Sequence, residues 1–477
     1  MSEEISPVEG ASPQPTKSQT FLVVGAVLVV LVTLLYLYRM PAALHWPIRL
    51  LFAASLAWLG FSLVRKIRST KFDPKIAVFS LVLIAILYGF LFLICHLFVK
   101  LMSARDESLA STKATELTEK SRRVIAKMLD GNHPAMYDRE VGWVPRPDYL
   151  WKDIHTINEQ GIRGKRVYPE TPGEVDKRIL CVGDSFTFGY EVADDQTFAY
   201  HGEQLVPGTE WINLGITGTG LTQSLAHYRK KGREFGGKYV VIAFMTNNGK
   251  RTVNCFRPFV SPSDITPFAQ PFAKMSDGKF SIEPNPYQEI SDYRKLLDNE
   301  AEELKRLYEL DYFTWSNQHT ASNPIARTIG YVWERQNIDR NVDILLNRGD
   351  DSTLRLRSGG DPYGSALWHP DSPGCQAILR LFDVYYEEVV ADGRVPLIVI
   401  LPSGKDVESR AKGLPPKHVQ LIKHFEAKGY RYFDFLDSLE AIYGDELDPK
   451  DLYGNTHFNG PTNKLVAEEI IKKLELR

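Results

Sequence analysis

The stretch Arg178–Val192, RILCVGDSFTFGYEV, decides how the rest of the chain is read. It opens with an apolar, partly β-branched run and turns sharply at Gly183-Asp184, just before Ser185. A near-continuous apolar run bounded by Gly and Asp reads as a strand covered on both faces. Similar runs come later in the chain: EWINLGITG (210–218), KYVVIAFMTN (238–247), PLIVILP (396–402) and RYFDF (431–435). Between and after them, residues 197–205, 221–235, 376–391, 417–428 and 462–474 read as helices. Strands alternating with helices predict a three-layer α/β sandwich around a five-stranded, mainly parallel sheet. Such sheets hold their sites at the carboxyl ends of the strands. The residues at the end of each run therefore matter most.

Ser185 follows the first strand at a tight turn that opens a helix, which exposes its Oγ and sets its N–H in an anion-favouring region. The second strand ends in NLGITG, where Gly218 lets a backbone N–H come close to a bound oxygen. The third ends in MTNN, where Asn247 supplies a side-chain donor. Donors from Ser185, Gly218 and Asn247 converging from adjacent strand ends form an oxyanion hole. Near the C-terminus, NTHFNGPTNKLVAEEI places His457 in a loop before an amphipathic helix, a suitable position for a general base.

In this order and at these strand ends, GDSFTFG (183–189), NLGITG (213–218), MTNN (245–248) and THFN (456–459) resemble the four blocks of the SGNH (GDSL-type) hydrolase family. INEQGIRGKR (157–166) is similar to the lead-in of many bacterial members, and the resemblance covers roughly residues 155–475. It implies the flavodoxin-like form of the sandwich. It further implies Ser185 as nucleophile, His457 as base, and Ser185, Gly218 and Asn247 as the oxyanion hole, with no cofactor and no metal. Two departures stand out. Met245 and Asn248 replace the Gly and Asp that usually end the asparagine block. The family's acid, three residues before the His, is Gly454 here, which leaves either a Ser–His dyad or the nearby Asp451 as orienting carboxylate.

The function expected is a serine esterase cleaving acyl esters, O-acetyl among them, of a small molecule, glycan or lipid through an acyl-enzyme. An O-acyltransferase moving acetyl groups onto a cell-envelope polysaccharide uses the same residues and is the alternative. A non-catalytic glycan-binding relic is the third reading. From Gly249 to Val395 the third and fourth strands stand unusually far apart. The resulting insertion, 249–370, leaves from the carboxyl edge of the sheet and reads as a lid. Within it, His319 and His369 lack metal-ligand spacing and read as ordinary polar residues. GITGTG (215–220) lacks Walker spacing, and RKKGR (229–233) reads as a solvated helix end.

The first hundred residues have another character. After a polar tail, 1–17, the runs 18–38, 44–64 and 76–101 read as membrane-spanning helices, with three spans favoured over two. RKIRSTKFDPK (65–75) carries five Lys/Arg, so it stays cytoplasmic and the third span leads outward. The predicted location is the cytoplasmic membrane, with the hydrolase domain, 155–477, on the extracytoplasmic or periplasmic side. Residues 104–154 are expected to be a stalk or linker with a mostly polar helix at 104–130. Overall charge is balanced, 57 Lys+Arg against 59 Asp+Glu, which argues against a nucleic-acid partner. The four cysteines lack C-x-x-C spacing, so neither a disulfide scaffold nor a structural zinc is expected. Cys255 and Cys375 stand at the two ends of the insertion, and unpaired buried thiols are favoured there over a bridge.

Overall fold

Five parallel strands form the central sheet: β1 Lys177–Gly183, β2 Thr209–Gly215, β3 Tyr239–Met245, β4 Val395–Leu401 and β5 Tyr432–Asp434. Their spatial order is β2-β1-β3-β4-β5. The helices that cover the sheet or open at its strand ends are α1 Ser185–Phe188, α2 Phe198–Leu205, α3 Leu221–Lys230, α4 Pro373–Ala391, α5 Val419–Lys428, α6 Phe435–Tyr443 and α7 Gly460–Lys473. The computed structural model describes residues 89–90, 92–98, 117–172, 177–260, 266–276, 278–312, 367–368, 370, 372–411 and 413–476.

Alternation along each strand explains the layers, because successive side chains point to opposite faces. Leu180, Val182, Val240, Ile242, Ile398 and Ile400 pack with Leu225 and Tyr228 of α3, Leu381 and Phe382 of α4, and Phe425 of α5. Their neighbours Ile179, Cys181, Val241, Ala243, Leu397 and Val399 face the other way. They meet Phe198 of α2, Leu436 and Leu439 of α6, and Val466 and Ile470 of α7. Each such aliphatic side chain contributes about 1.5–3 kcal/mol when fully buried, an upper bound. The predicted five-stranded α/β sandwich is therefore present. One helix was not foreseen: RYFDF yields a strand of only three residues, and Asp434 then caps α6 by accepting from Leu436 N–H at 3.0 Å.

A third core joins two segments that the sequence reading kept apart. The helix Glu119–Leu129, expected to be solvated, buries Ile125 and Met128 with Trp143, Phe268, Tyr293 and Leu304. Two hairpins come after that helix, 135–138 with 142–145 and 149–151 with 155–157. From the insertion come the hairpin 272–276 with 279–283 and the helices Asp292–Asp298 and Glu300–Leu310. The Glu300 carboxylate ties the two together, accepting from Leu117 N at 2.7 Å and from Arg122 Nε at 2.8 Å. Residues 117–157 thus belong to the folded body rather than to a stalk.

The chain divides into two units, residues 1–97 and 98–477. In the first, the described residues are 89–90 and 92–97, which are helical and expose Phe90, Leu93, Ile94 and Leu97. Among the described residues no helix is long and apolar enough to cross a membrane. The predicted spans 18–38 and 44–64, residues 76–88 of the third, and the polar helix before residue 117 lie outside the described residues. So do His319 and His369 of the insertion. All four cysteines are free and buried. Cys255 belongs to the third core, with its thiol donating to the Leu307 carbonyl at 3.3 Å, whereas Cys375 packs with α4 against the sheet. The bridge between them is not formed.

Candidate active site

The end of β1 is built to present Ser185. A Cβ on Gly183 would lie 2.2 Å from Thr187 Oγ1 and 2.8 Å from the Ala243 carbonyl, so the turn closes only around glycine. Asp184 caps α1, one carboxylate oxygen accepting from Phe186 N–H at 2.7 Å and the other from the Asn248 amide. Burial pushes the Asp184 carboxyl up to about 6, against the pull of these donors and of the Arg251 charge. Ser185 is the first residue of α1, so its N–H has no partner inside the helix. The helix is one turn long and ends at Gly189 in the left-handed region, φ 77°.

His457 reaches this serine from the loop before α7. Its Nε2 lies 2.8 Å from Ser185 Oγ, and its Nδ1 lies 3.2 Å from Glu191 Oε1. A carboxylate facing Nδ1 assigns the proton there and leaves Nε2 free to accept from the serine hydroxyl. The imidazole is flanked by the rings of Phe186, at 4.8 Å, and Tyr190, at 5.2 Å. Burial pushes His457 below its ordinary value of 6.5. Glu191 opposes that shift, while Arg251 and Lys152 reinforce it.

Glu191 was not foreseen, and Asp451 does not take the role suggested for it. Asp451 is exposed, and it bonds through its backbone, its carbonyl accepting from Asn459 Nδ2 at 2.7 Å. Glu191 instead enters from the loop after α1 and is held by the histidine loop. It accepts from Asn455 N at 2.6 Å, Thr456 N at 3.1 Å and Thr456 Oγ1 at 2.8 Å. Burial disfavours its charge, but these donors, with His457, outweigh burial and hold the carboxyl down to about 2. The absent acid at Gly454 is explained by the same geometry: a Cβ there would meet Glu191 Oε2 at 3.1 Å. The carboxylate fills the space that an Asp at that position would need.

The oxyanion candidates occupy neighbouring turns. Gly218 has φ 80°, a conformation open to glycine at no steric cost, in the turn after β2. That turn is fixed by Trp143 Nε1 donating to the Thr217 carbonyl at 2.9 Å and by Ile216 N donating to the Gly183 carbonyl at 3.1 Å. Asn247 follows β3 and is half-buried. Its Oδ1 accepts from the Lys417 ammonium, which leaves the Nδ2 hydrogens for another acceptor. Lys417 in turn lies 3.3 Å from Asp406, and Asp406 accepts from Thr246 Oγ1 at 2.5 Å and from Ser403 N at 2.8 Å. Burial raises the cost of the Asp406 charge, yet Lys417 and His418 keep its carboxyl well below the usual range.

Beside the Gly218 turn lies a cavity of about 30 Å³, walled by His133, Trp143, Trp151, Phe188, Ile216 and Thr217. Among the described residues no group of three or more His, Cys, Asp or Glu is placed to hold a metal ion.

No family model matches the chain, and no curated protein matches it. A solved crystal structure aligns with 64% of this chain and 98% of its own length, at 11% identity and a TM-score of 0.30. Likeness at that level carries no argument about activity.

Proposed function

We propose that the chain is a serine esterase of the SGNH type, with the sandwich in its flavodoxin-like form, cleaving acyl esters through an acyl-enzyme on Ser185. One observation carries this reading: the hydrogen-bonded series Ser185 Oγ, His457 and Glu191 at the carboxyl end of β1. As Ser185 Oγ attacks the ester carbonyl, His457 Nε2 takes its proton, and the Glu191 carboxylate stabilises the imidazolium. The tetrahedral oxyanion takes hydrogen bonds from Ser185 N–H, Gly218 N–H and Asn247 Nδ2. Collapse breaks the ester C–O bond, and the departing alcohol takes the proton from His457. Water then attacks the acyl-serine by the same steps in reverse.

The apolar runs 18–38, 44–64 and 76–101 anchor the domain in the cytoplasmic membrane, facing outward, with a glycan or lipid as the natural alcohol.

The test is release of acetate or fatty acid from a panel of esters by the full chain and by Ser185→Ala, with and without a sugar acceptor. Acetate release lost in Ser185→Ala supports the esterase. Acetyl transfer to the sugar with no net release replaces hydrolysis by transfer. Equal release from both proteins removes Ser185 from the chemistry.

A further inference from the structure

Arg251 is a guanidinium whose charge is felt by the buried Asp184 carboxylate but which lacks hydrogen-bond partners of its own. Its Nε and Nη1 are shut off from solvent and have no hydrogen-bond partner. Among the described residues its side chain forms no ion pair either. Arg163 and Arg178 also hold buried nitrogens, but they pair with Asp194 and Glu210. The backbone of Arg251, by contrast, is fixed firmly. Its carbonyl accepts from Gln270 Nε2 at 2.5 Å, and a Cβ on Gly220 would lie 2.7 Å from its carbonyl carbon. Buried charged donors without acceptors are costly, and an anion at the part of this half-buried side chain that stays open would lower that cost.

Its position names the site. The turn Thr246–Asn248 runs straight into the helix Gly249–Thr252. Arg251 lies in that helix, four residues after Asn247 in the chain. Asn248, within that turn, holds Asp184 next to the nucleophile. A second cation stands near the base: Lys152 Nζ donates to Tyr190 OH at 2.9 Å, and the Tyr190 ring lies against His457. Both charges act on the imidazole, each disfavouring its protonated form. That is a handicap for a base that becomes imidazolium when Ser185 attacks, unless bound substrate brings a negative charge of its own.

On the strength of the esterase reading above, we infer that Arg251 is a substrate-binding residue, with Lys152 beside it, for an ester that carries an acidic group. Carboxylate and phosphate share the required chemistry, since the guanidinium fork takes two oxygens of either. An acylated sugar acid or sugar phosphate has this form. The anion would meet the guanidinium on its solvent-accessible side and offset the positive field on His457 during attack.

The experiment uses the full chain and a matched pair, acetylated glucuronic acid and its methyl ester, which differ by one negative charge. Wild type should favour the acid in kcat/KM by about tenfold or more, Arg251→Gln should bring the ratio to within about twofold, and Arg251→Lys should keep part of it. A second readout needs no turnover: protection of Ser185 from a neutral fluorophosphonate by glucuronate, glucose 6-phosphate or glucose. Protection by either anion but not by glucose, lost in Arg251→Gln, supports the inference and shows which anion is held. Labelling of Ser185 in the variants checks that they are folded. A ratio near one in wild type, or a preference untouched in Arg251→Gln, overturns the anion site and leaves the esterase standing. Absence of both labelling and turnover in wild type overturns the esterase reading itself.

Discussion

Glu191 Oε1 lies 3.2 Å from Nδ1 of His457, while Ser185 Oγ lies 2.8 Å from Nε2 of the same ring. The carboxylate that faces the imidazole therefore comes from the loop after Ser185, six residues on, and not from the histidine's loop. Replacing an orienting carboxylate by its amide in a Ser–His–acid site lowers kcat by as much as about 10⁴-fold. Glu191→Gln is expected to lose about 10²–10⁴-fold in kcat with KM little changed. Asp451→Ala should stay within about twofold, because its exposed side chain does not meet the imidazole. Steady-state kinetics on one ester checks both, and the reverse order of effects would return the role to Asp451.

Gly454→Asp introduces the acid usual in SGNH hydrolases at this position, but it is not expected to raise activity. The new Cβ would stand 3.1 Å from Glu191 Oε2, and a second carboxylate beside the first is repelled. Activity should fall, not rise. The double change Gly454→Asp with Glu191→Gly separates the two acids: recovery above Glu191→Gly alone shows that the site accepts a carboxylate from either loop.

The pH profile is set by the direction of the His457 shift. Its active form is neutral, and burial, aided by Arg251 and Lys152, holds its pKa below the ordinary 6.5. A lowered pKa keeps the base neutral to lower pH. The profile of kcat/KM should thus rise through one pKa below 6.5 and stay flat to about pH 8. Glu191 pulls the other way, so Glu191→Gln should move the midpoint lower still. A midpoint above 7 in wild type would contradict this environment.

Asn247 tests the oxyanion hole. Removing a single side-chain donor of this kind costs about 10²–10³ in kcat. Asn247→Ala should show that loss with KM nearly constant. Lys417 holds the amide oxygen of Asn247 and touches the site through it, so Lys417→Met should cost less, about tenfold, with no further loss in the double variant. Additive losses would mean that Lys417 acts elsewhere.

The sequence made the sheet legible because each strand is an apolar run with a turn residue at its end, and burial on both faces demands that pattern. Ser185 and His457 stood out only through the order of the blocks that hold them, and the fold brings their side chains to 2.8 Å. Glu191 did not stand out. Its role depends on the loop after α1 folding back to meet N–H groups at 455 and 456, a long-range contact that no local spacing announces. The N-terminal segment misled for a different reason. Glu119–Leu129 looks solvated because only its Ile125 and Met128 stripe is buried, and the partners for that stripe come from the distant insertion. Arg251 and Lys417 likewise gain meaning only from what surrounds them once the chain is folded.

Whether Ser185 is a covalent nucleophile activated by His457 is read by mass spectrometry of the intact full chain after reaction with a fluorophosphonate. One adduct is expected, mapped to Ser185, absent in Ser185→Ala and formed far more slowly in His457→Ala. An adduct that persists in Ser185→Ala, or a wild-type chain that is never labelled, would contradict that role.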